Sequence, residues 1–332
     1  MTPILDSGHS AFPRPSRAAA EPSAAKRAIA PSRSIPPPLH HRVLVAGSRE
    51  GPPLLLLHGF TGDRRSWQGF VNAWRRLAGA PRAHHGLPHG RPADPRIIAL
   101  DLLGHGRSPQ PAATAAQTMP GVVSAVLATM DTLGIARAHL LGYSMGGRVA
   151  LSLALAAPER VASLGLIGAS PGIADDAERA ARAAADDALA ERLEAEGLPA
   201  FVDRWMAQPL FASQARLDPA IRIRERGRRL EQSPRGLAAS LRQLGTGRMP
   251  PLWAALEGLA MPCLYLAGAE DAKFLGIGRM MAARSKQITV VAVPGAGHAV
   301  QLERPEAVAA ELAGFLAAVD AGPSTTRDNA GT

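Results

Sequence analysis

Three residues, Ser144, Asp271 and His298, have the types, chain order and surroundings that nucleophilic or acid–base chemistry needs. Ser144 stands in Leu140-Leu141-Gly142-Tyr143-Ser144-Met145-Gly146-Gly147-Arg148, where an apolar run stops at a glycine and an alanine- and leucine-rich stretch starts just past the serine. A G-x-S-x-G match carries meaning only between a strand and a helix, and this one has that context. Glycine at 142 and 146 permits a turn tight enough to push the serine out beyond the strand end. The helix that follows points free N–H groups and partial positive charge back at the serine, so an oxyanion formed there is stabilised. His298 ends Val293-Pro294-Gly295-Ala296-Gly297-His298, and Asp271 follows the apolar run 263–267 through Gly268-Ala269-Glu270. The order is serine, acid, histidine, with each residue just after an apolar run, so all three are expected at one edge of a sheet. Glu270 is the rival for the acid role.

A second element of chemistry is Leu57-His58-Gly59-Phe60-Thr61-Gly62, a turn-prone stretch after another apolar run. The backbone N–H of Phe60 is expected to pair with that of Met145 as an oxyanion hole. Each such donor is typically worth about 2.7–4 kcal/mol to the reaction it serves. His58, and Asp101 and His105 in Asp101-Leu102-Leu103-Gly104-His105-Gly106-Arg107-Ser108, are expected to support loops near the site. Arg148, one helical turn past Ser144, sets this elbow apart: a guanidinium there suits a carboxylate.

The elements that must position these residues follow from the hydrophobic pattern. Short apolar runs fall at 42–45, 53–57, 96–100, 138–141, 162–167, 262–267 and 288–293, and helical stretches at 67–78, 117–133, 145–157, 276–283 and 305–319. The alternation predicts an α/β class with a mostly parallel sheet flanked by helices. Core segments are expected at 41–174 and 257–319. Residues 175–256 break the alternation, being helical and rich in arginine, alanine and leucine. They predict an inserted helical lid over the strand C-terminal edge, where open α/β sheets bind ligands. Residues 1–40 and 320–332 read as disordered tails, the first too polar and proline-rich to bury a core and lacking the apolar stretch of a secretory signal. Residues 79–95, with His84, His85 and His89, read as a long surface loop with no metal-ligand spacing.

The chain has 332 residues, a formal net charge of +9, 46% hydrophobic and 4% aromatic residues, which suits one large α/β domain whose core is mainly leucine, alanine and valine. No aromatic-interleaved basic patch points to nucleic acid, and no run approaches the length of a membrane span. The single cysteine, Cys263, lies in an apolar run and reads as a small core residue. The lid arginines 179, 182, 222, 224, 226, 228 and 229 read mostly as a solvated helix face. The chemistry calls for no metal and no organic cofactor, the expected partner is a small anionic, polycarboxylate substrate, and the expected location is cytoplasmic.

The motifs H-G-F, D-x-x-G-H-G-x-S, G-x-S-x-G and the late Gly297-His298 resemble the α/β-hydrolase superfamily across nearly all of 42–318. The finer pattern resembles the 2-succinyl-6-hydroxy-2,4-cyclohexadiene-1-carboxylate (SHCHC) synthase family of menaquinone biosynthesis. It is carried by His58-Gly59-Phe60-Thr61-Gly62-Asp63, the elbow with Arg148, Gln208-Pro209-Leu210-Phe211-Ala212-Ser213, Leu244-Gly245-Thr246-Gly247 and Asp271-Ala272-Lys273-Phe274. The resemblance implies a carbon–oxygen lyase. It eliminates pyruvate from 2-succinyl-5-enolpyruvyl-6-hydroxy-3-cyclohexene-1-carboxylate, with the Ser144–His298–Asp271 triad as general base and no acyl-enzyme. It further implies that Tyr143, Arg148, Arg182, Trp205 and Phe211 contact substrate, together with a further arginine at 228 or 229. A serine hydrolase acting on esters, thioesters or C–C bonds is the alternative on the same triad, and asks for neither Arg148 nor a basic lid.

Overall fold

A strand covered on both faces reads as an unbroken apolar run, and Leu54–Leu57 is such a strand: Leu54 and Leu56 pack on one face with Trp67, Phe70 and Leu312, Leu55 and Leu57 on the other with Val122 and Val149. The structure is a computed structural model that describes residues 24, 27–31, 37–48, 51–79, 95–110 and 117–322. Among these, the strands β1 (His41–Val45), β2 (Leu54–Leu57), β3 (Ile97–Leu100), β4 (Ala138–Tyr143), β5 (Val161–Ile167), β6 (Cys263–Gly268) and β7 (Ile288–Val293) form one sheet in the order β1-β3-β2-β4-β5-β6-β7. β1 runs antiparallel to β3, and the other pairings are parallel. The parallel strands therefore share one C-terminal edge.

The helices are α1 (Gln68–Gly79), α2 (Met119–Thr132), α3 (Met145–Ala156), α4 (Asp176–Glu196), α5 (Leu198–Met206), α6 (Pro219–Leu230), α7 (Pro234–Leu244), α8 (Ala272–Ala282), α9 (Val300–Glu303) and α10 (Pro305–Ala321). Residues of α2 and α3 pack on one face of the sheet, residues of α1 and α10 on the other. This is the flanked, mostly parallel sheet that the alternating pattern predicts.

Between β5 and β6 the chain runs through α4 to α7. Asp175 starts α4 by accepting from Glu178 N at 2.8 Å, Asp176 and Glu178 complement the helix dipole, and Gly197 ends it with φ 83°. These helices hold a separate small core of Leu189, Leu193, Phe201, Val202, Trp205, Phe211, Leu237 and Leu241, with Phe60 packed against it. Residues Met249, Leu252, Ala255 and Leu256, within the expected lid, pack instead in the cluster on the sheet face. The small core thus ends at Leu241, and Leu244 already packs in the sheet-face cluster.

Two expectations for the tails change. Ile29 and Leu39 are buried in the main cluster, and the Leu39 N–H donates to Thr129 Oγ1 at 2.8 Å. An isolated isoleucine in a proline-rich segment leaves no periodic signal, yet one deep anchor is enough to hold a short turn. At the other end Asp320 and Ala321 belong to α10. Residues 1–23, 25–26, 32–36 and 323–332, and His84, His85 and His89, lie outside the described residues. No described helix is long and apolar enough to cross a membrane.

Candidate active site

Ser144 follows β4 with φ 49°, a left-handed conformation rare for a residue with a side chain. The elbow closes because Gly142 and Gly146 lack Cβ atoms. One on Gly142 would meet the Gly146 backbone, and one on Gly146 would fall on the Leu57 carbonyl. That second approach seats the start of α3 against the end of β2, so Met145 and the 58–60 loop share one corner. Gly59 in turn lies on the Tyr143 ring.

Ser144 Oγ lies 3.2 Å from His298 Nε2, and His298 Nδ1 lies 2.8 Å from Asp271 Oδ2. With the imidazole protonated on Nδ1, that nitrogen donates to the carboxylate and Nε2 is free to accept the serine proton. Asp271 is held as well, since its Oδ1 accepts from Phe274 N at the start of α8. Glu270 takes no part: it pairs with exposed Arg216 at 2.7 Å. Of the two acids, Asp271 is the one hydrogen-bonded to the imidazole. Glu303 grips the histidine loop on both sides, accepting from Gly297 N at 2.9 Å and Ala299 N at 3.2 Å. The Phe274 ring lies 4.4 Å from the imidazole. Neither residue was singled out from the sequence alone. Phe274 was visible only as the end of the Asp271-Ala272-Lys273-Phe274 motif, and Glu303 stood in a run with no chemical signature.

The supporting histidines are neutral. Burial lowers the His58 pKa; its Nδ1 donates to the Gly59 carbonyl at 2.8 Å while Nε2 accepts from Leu102 N at 2.9 Å. Burial takes His105 down to about 3. Asp101 accepts from Arg64 N at 2.7 Å, Arg64 Nη1 at 2.6 Å and Arg107 N at 3.0 Å, stitching the two loops together. Cys263 is buried in β6, which pushes its thiol pKa up and leaves it inert.

Aromatic rings wall the site on the insertion side. Phe60 meets Trp205 at 5.0 Å, Trp205 meets Phe211 at 5.9 Å, and Phe211 meets His298 at 6.2 Å. Tyr143 lies 5.4 Å from His298, and burial raises its phenol pKa, so it stays protonated.

Cations stand at two places. Arg148 is buried and donates from Nη1 to the Leu244 carbonyl at 2.7 Å. Burial lowers its pKa to about 10, helped by Arg182, so it remains a cation at neutral pH. Arg182 donates from Nε to Asp186 at 2.9 Å. At the second place Glu225 binds both Arg228 and Arg229. Arg229 also donates from Nε to Thr61 Oγ1 at 3.2 Å, and its charge acts on Tyr143. Both arginines line a small pocket with Gly59, Phe60, Tyr143 and Gln301. Of the other lid arginines, Arg179 pairs with Asp176 and Arg226 with Asp203, and Arg222 and Arg224 are exposed. Among the described residues no group of three or more histidine, cysteine or acidic side chains is arranged to hold a metal ion.

Comparison with known proteins points in one direction. The alpha/beta hydrolase fold family matches residues 52–305. A putative SHCHC synthase of Bacillus subtilis (strain 168) is 36% identical over 281 residues, covering 83% of this chain and 96% of that protein. The SHCHC synthase of Klebsiella pneumoniae (strain 342) is 36% identical over 266 residues, covering 80% and 94%. Among solved structures, MenH from S. aureus superposes with a TM-score of 0.74 at 31% identity, covering 83% of this chain and 97% of that one. A malate-bound thermophilic esterase from Thermogutta terrifontis superposes with a TM-score of 0.68 at 26% identity, covering 85% and 93%.

Proposed function

The chain belongs to the α/β-hydrolase-fold family, and within it we propose that it is an SHCHC synthase of menaquinone biosynthesis, a lyase that releases pyruvate from the enolpyruvyl-bearing cyclohexene precursor. The observation that carries this reading is Arg148, a buried cation one helical turn past Ser144. A site for neutral esters has no use for a buried guanidinium, whose desolvation costs several kcal/mol. A polycarboxylate repays that cost.

The reaction follows from comparing substrate and product. The ring double bond at C3 becomes a diene at C2 and C4, so the hydrogen lost is the one on C2, beside the succinyl ketone. Ser144 Oγ, with its own proton passed to His298 Nε2, removes that hydrogen. The pair of electrons forms C2=C3, the old π bond moves to C4=C5, and the C5–O bond breaks to release enolpyruvate, which becomes pyruvate. Negative charge develops on the ketone oxygen, and in this reading the N–H groups of Phe60 and Met145 stabilise it. Asp271 holds the imidazole and stabilises its cation. Arg148, Arg182 and Arg229 bind carboxylates, with Arg229 preferred to Arg228 because it reaches Thr61 on the loop that carries Phe60. Tyr143, Trp205 and Phe211 shape the apolar wall. No acyl-enzyme is formed, because a serine made basic by histidine can take a proton as well as attack a carbonyl.

The test is relative turnover. Purified protein is given the enolpyruvyl substrate and a neutral nitrophenyl ester in parallel. The lyase reading requires kcat/KM for pyruvate release to exceed that for the ester by orders of magnitude; the reverse ranking selects the hydrolase.

A further inference from the structure

The Leu244-Gly245-Thr246-Gly247 turn lies between Arg148 and helix α4. Its first residue offers the carbonyl that accepts from Arg148 Nη1 at 2.7 Å. Its glycines allow α4 to come close. A Cβ on Gly245 would fall on Asp186 Oδ2, and one on Gly247 would fall on the Ala183 backbone nitrogen. The side chain that this turn seats is Asp186, which is 0% exposed. Its Oδ1 accepts from Arg182 Nε at 2.9 Å, while the buried Oδ2 has no hydrogen-bond partner among the described residues. Arg148 lies within electrostatic range of both Arg182 and Asp186.

A buried carboxylate is costly, and replacing an ion pair by apolar side chains is often neutral or favourable for stability. The arrangement is therefore poor as a fold-stabilising device. It makes sense as a device that presents cations. Oδ1 takes the Nε of Arg182, and among the described residues Nη1 and Nη2 of that guanidinium make no hydrogen bond. They form the edge suited to bidentate carboxylate binding. One anion beside two cations also offsets the repulsion between Arg182 and Arg148 while leaving net positive charge for a ligand.

We propose that Asp186 is a positioning residue that holds Arg182 and Arg148 as one carboxylate-binding pair, seated by the Leu244–Gly247 glycine turn. This deepens the reading of the site as one for a polycarboxylate and rests on it. Asp186 touches no reacting atom; it acts through Arg182.

The test uses tricarballylate as a probe, so that it does not depend on turnover. Its affinity is measured by calorimetry for the unaltered protein, Asp186→Asn, Arg182→Ala and the double variant. Each single variant is expected to lose about tenfold in affinity, the scale of one charge-assisted hydrogen bond. In the Arg182→Ala background Asp186→Asn is expected to cause no further loss, since the partner it acts through is gone. Unchanged affinity in Asp186→Asn overturns the proposal. So does an equal loss in both backgrounds, the sign of a merely structural aspartate, and so does absence of binding to the unaltered protein. If Asp186→Asn alone does not fold, the double variant, which removes both charges, is set against Arg182→Ala: equal affinity supports the proposal and weaker affinity overturns it. Pyruvate release by the unaltered protein tests the lyase reading separately. Failure there with the affinity pattern intact leaves the arginine pair standing and removes only the reaction.

Discussion

Arg148 donates to the Leu244 carbonyl at 2.7 Å, tying the helix that begins at the Ser144 elbow to the C-terminal end of a helix in the insertion. The bond satisfies one terminal carbonyl of α7 and fixes the guanidinium against the insertion. Arg148→Ala should lower kcat/KM for the enolpyruvyl substrate by about 10²–10³-fold, the scale of truncating a buried charge that binds a charged partner. Turnover of a neutral ester should fall less than about tenfold, because no carboxylate is bound. Parallel steady-state kinetics on both substrates, with a melting curve to verify the fold, check this.

Gly146→Ala should disable the elbow without touching any reacting group. The added Cβ falls on the Leu57 carbonyl, and two backbones must separate. A displacement of about 1 Å at the oxyanion corner is enough to cost about 100-fold in rate. The expected result is a loss of kcat in a protein that still shows its far-ultraviolet circular dichroism.

Ile29 anchors the segment before β1 in the main core, where it is fully buried. Ile29→Ala should destabilise the protein by about 2–3 kcal/mol, as for a buried aliphatic truncated to alanine. Ile29 is none of the groups proposed to act in the reaction, so kcat should be unchanged. Urea unfolding with a parallel activity assay measures both.

Asp63 gives a pH-dependent term. Burial raises its pKa, but the bond from Arg65 and the charge of Arg228 outweigh this, and the net shift is below the ordinary 3.8. A carboxylate depressed in the folded state stabilises the protein fully above its unfolded pKa, and that contribution is lost as pH falls through the folded value. Asp63→Asn should therefore cost about 1–3 kcal/mol at pH 7, for the charge-assisted bonds it breaks. The two proteins should converge as pH falls below 3.8. Urea midpoints at pH 7 and pH 3 test this.

Much of the core was legible because its signals are local. Each apolar run before Gly142, Gly268 and Pro294 became a strand, and Ser144, Asp271 and His298 lie one, three and five residues past the ends of those strands. In sequence Asp271 is preferred to Glu270, but with no contact to separate them. Adjacent acids look alike in sequence, and what distinguishes them is the His298 Nδ1 contact of Asp271 and the Arg216 pairing of Glu270. Arg228 and Arg229 were likewise equivalent until α6 set one of them toward Thr61. Asp186 and Glu225 escaped notice because a buried counter-ion on an arginine-rich helix resembles an ordinary surface pair. Ile29 escaped because a single anchor has no period.

The most direct measurement is pyruvate release from the purified protein with 2-succinyl-5-enolpyruvyl-6-hydroxy-3-cyclohexene-1-carboxylate, beside Ser144→Ala. Pyruvate should form one-for-one with SHCHC, and the variant should be slower by at least about 10³-fold, the scale of removing a catalytic group that acts within a triad. Pyruvate formation at equal rates in both proteins, or none in the unaltered protein, would contradict the assignment of Ser144 as the base of a lyase.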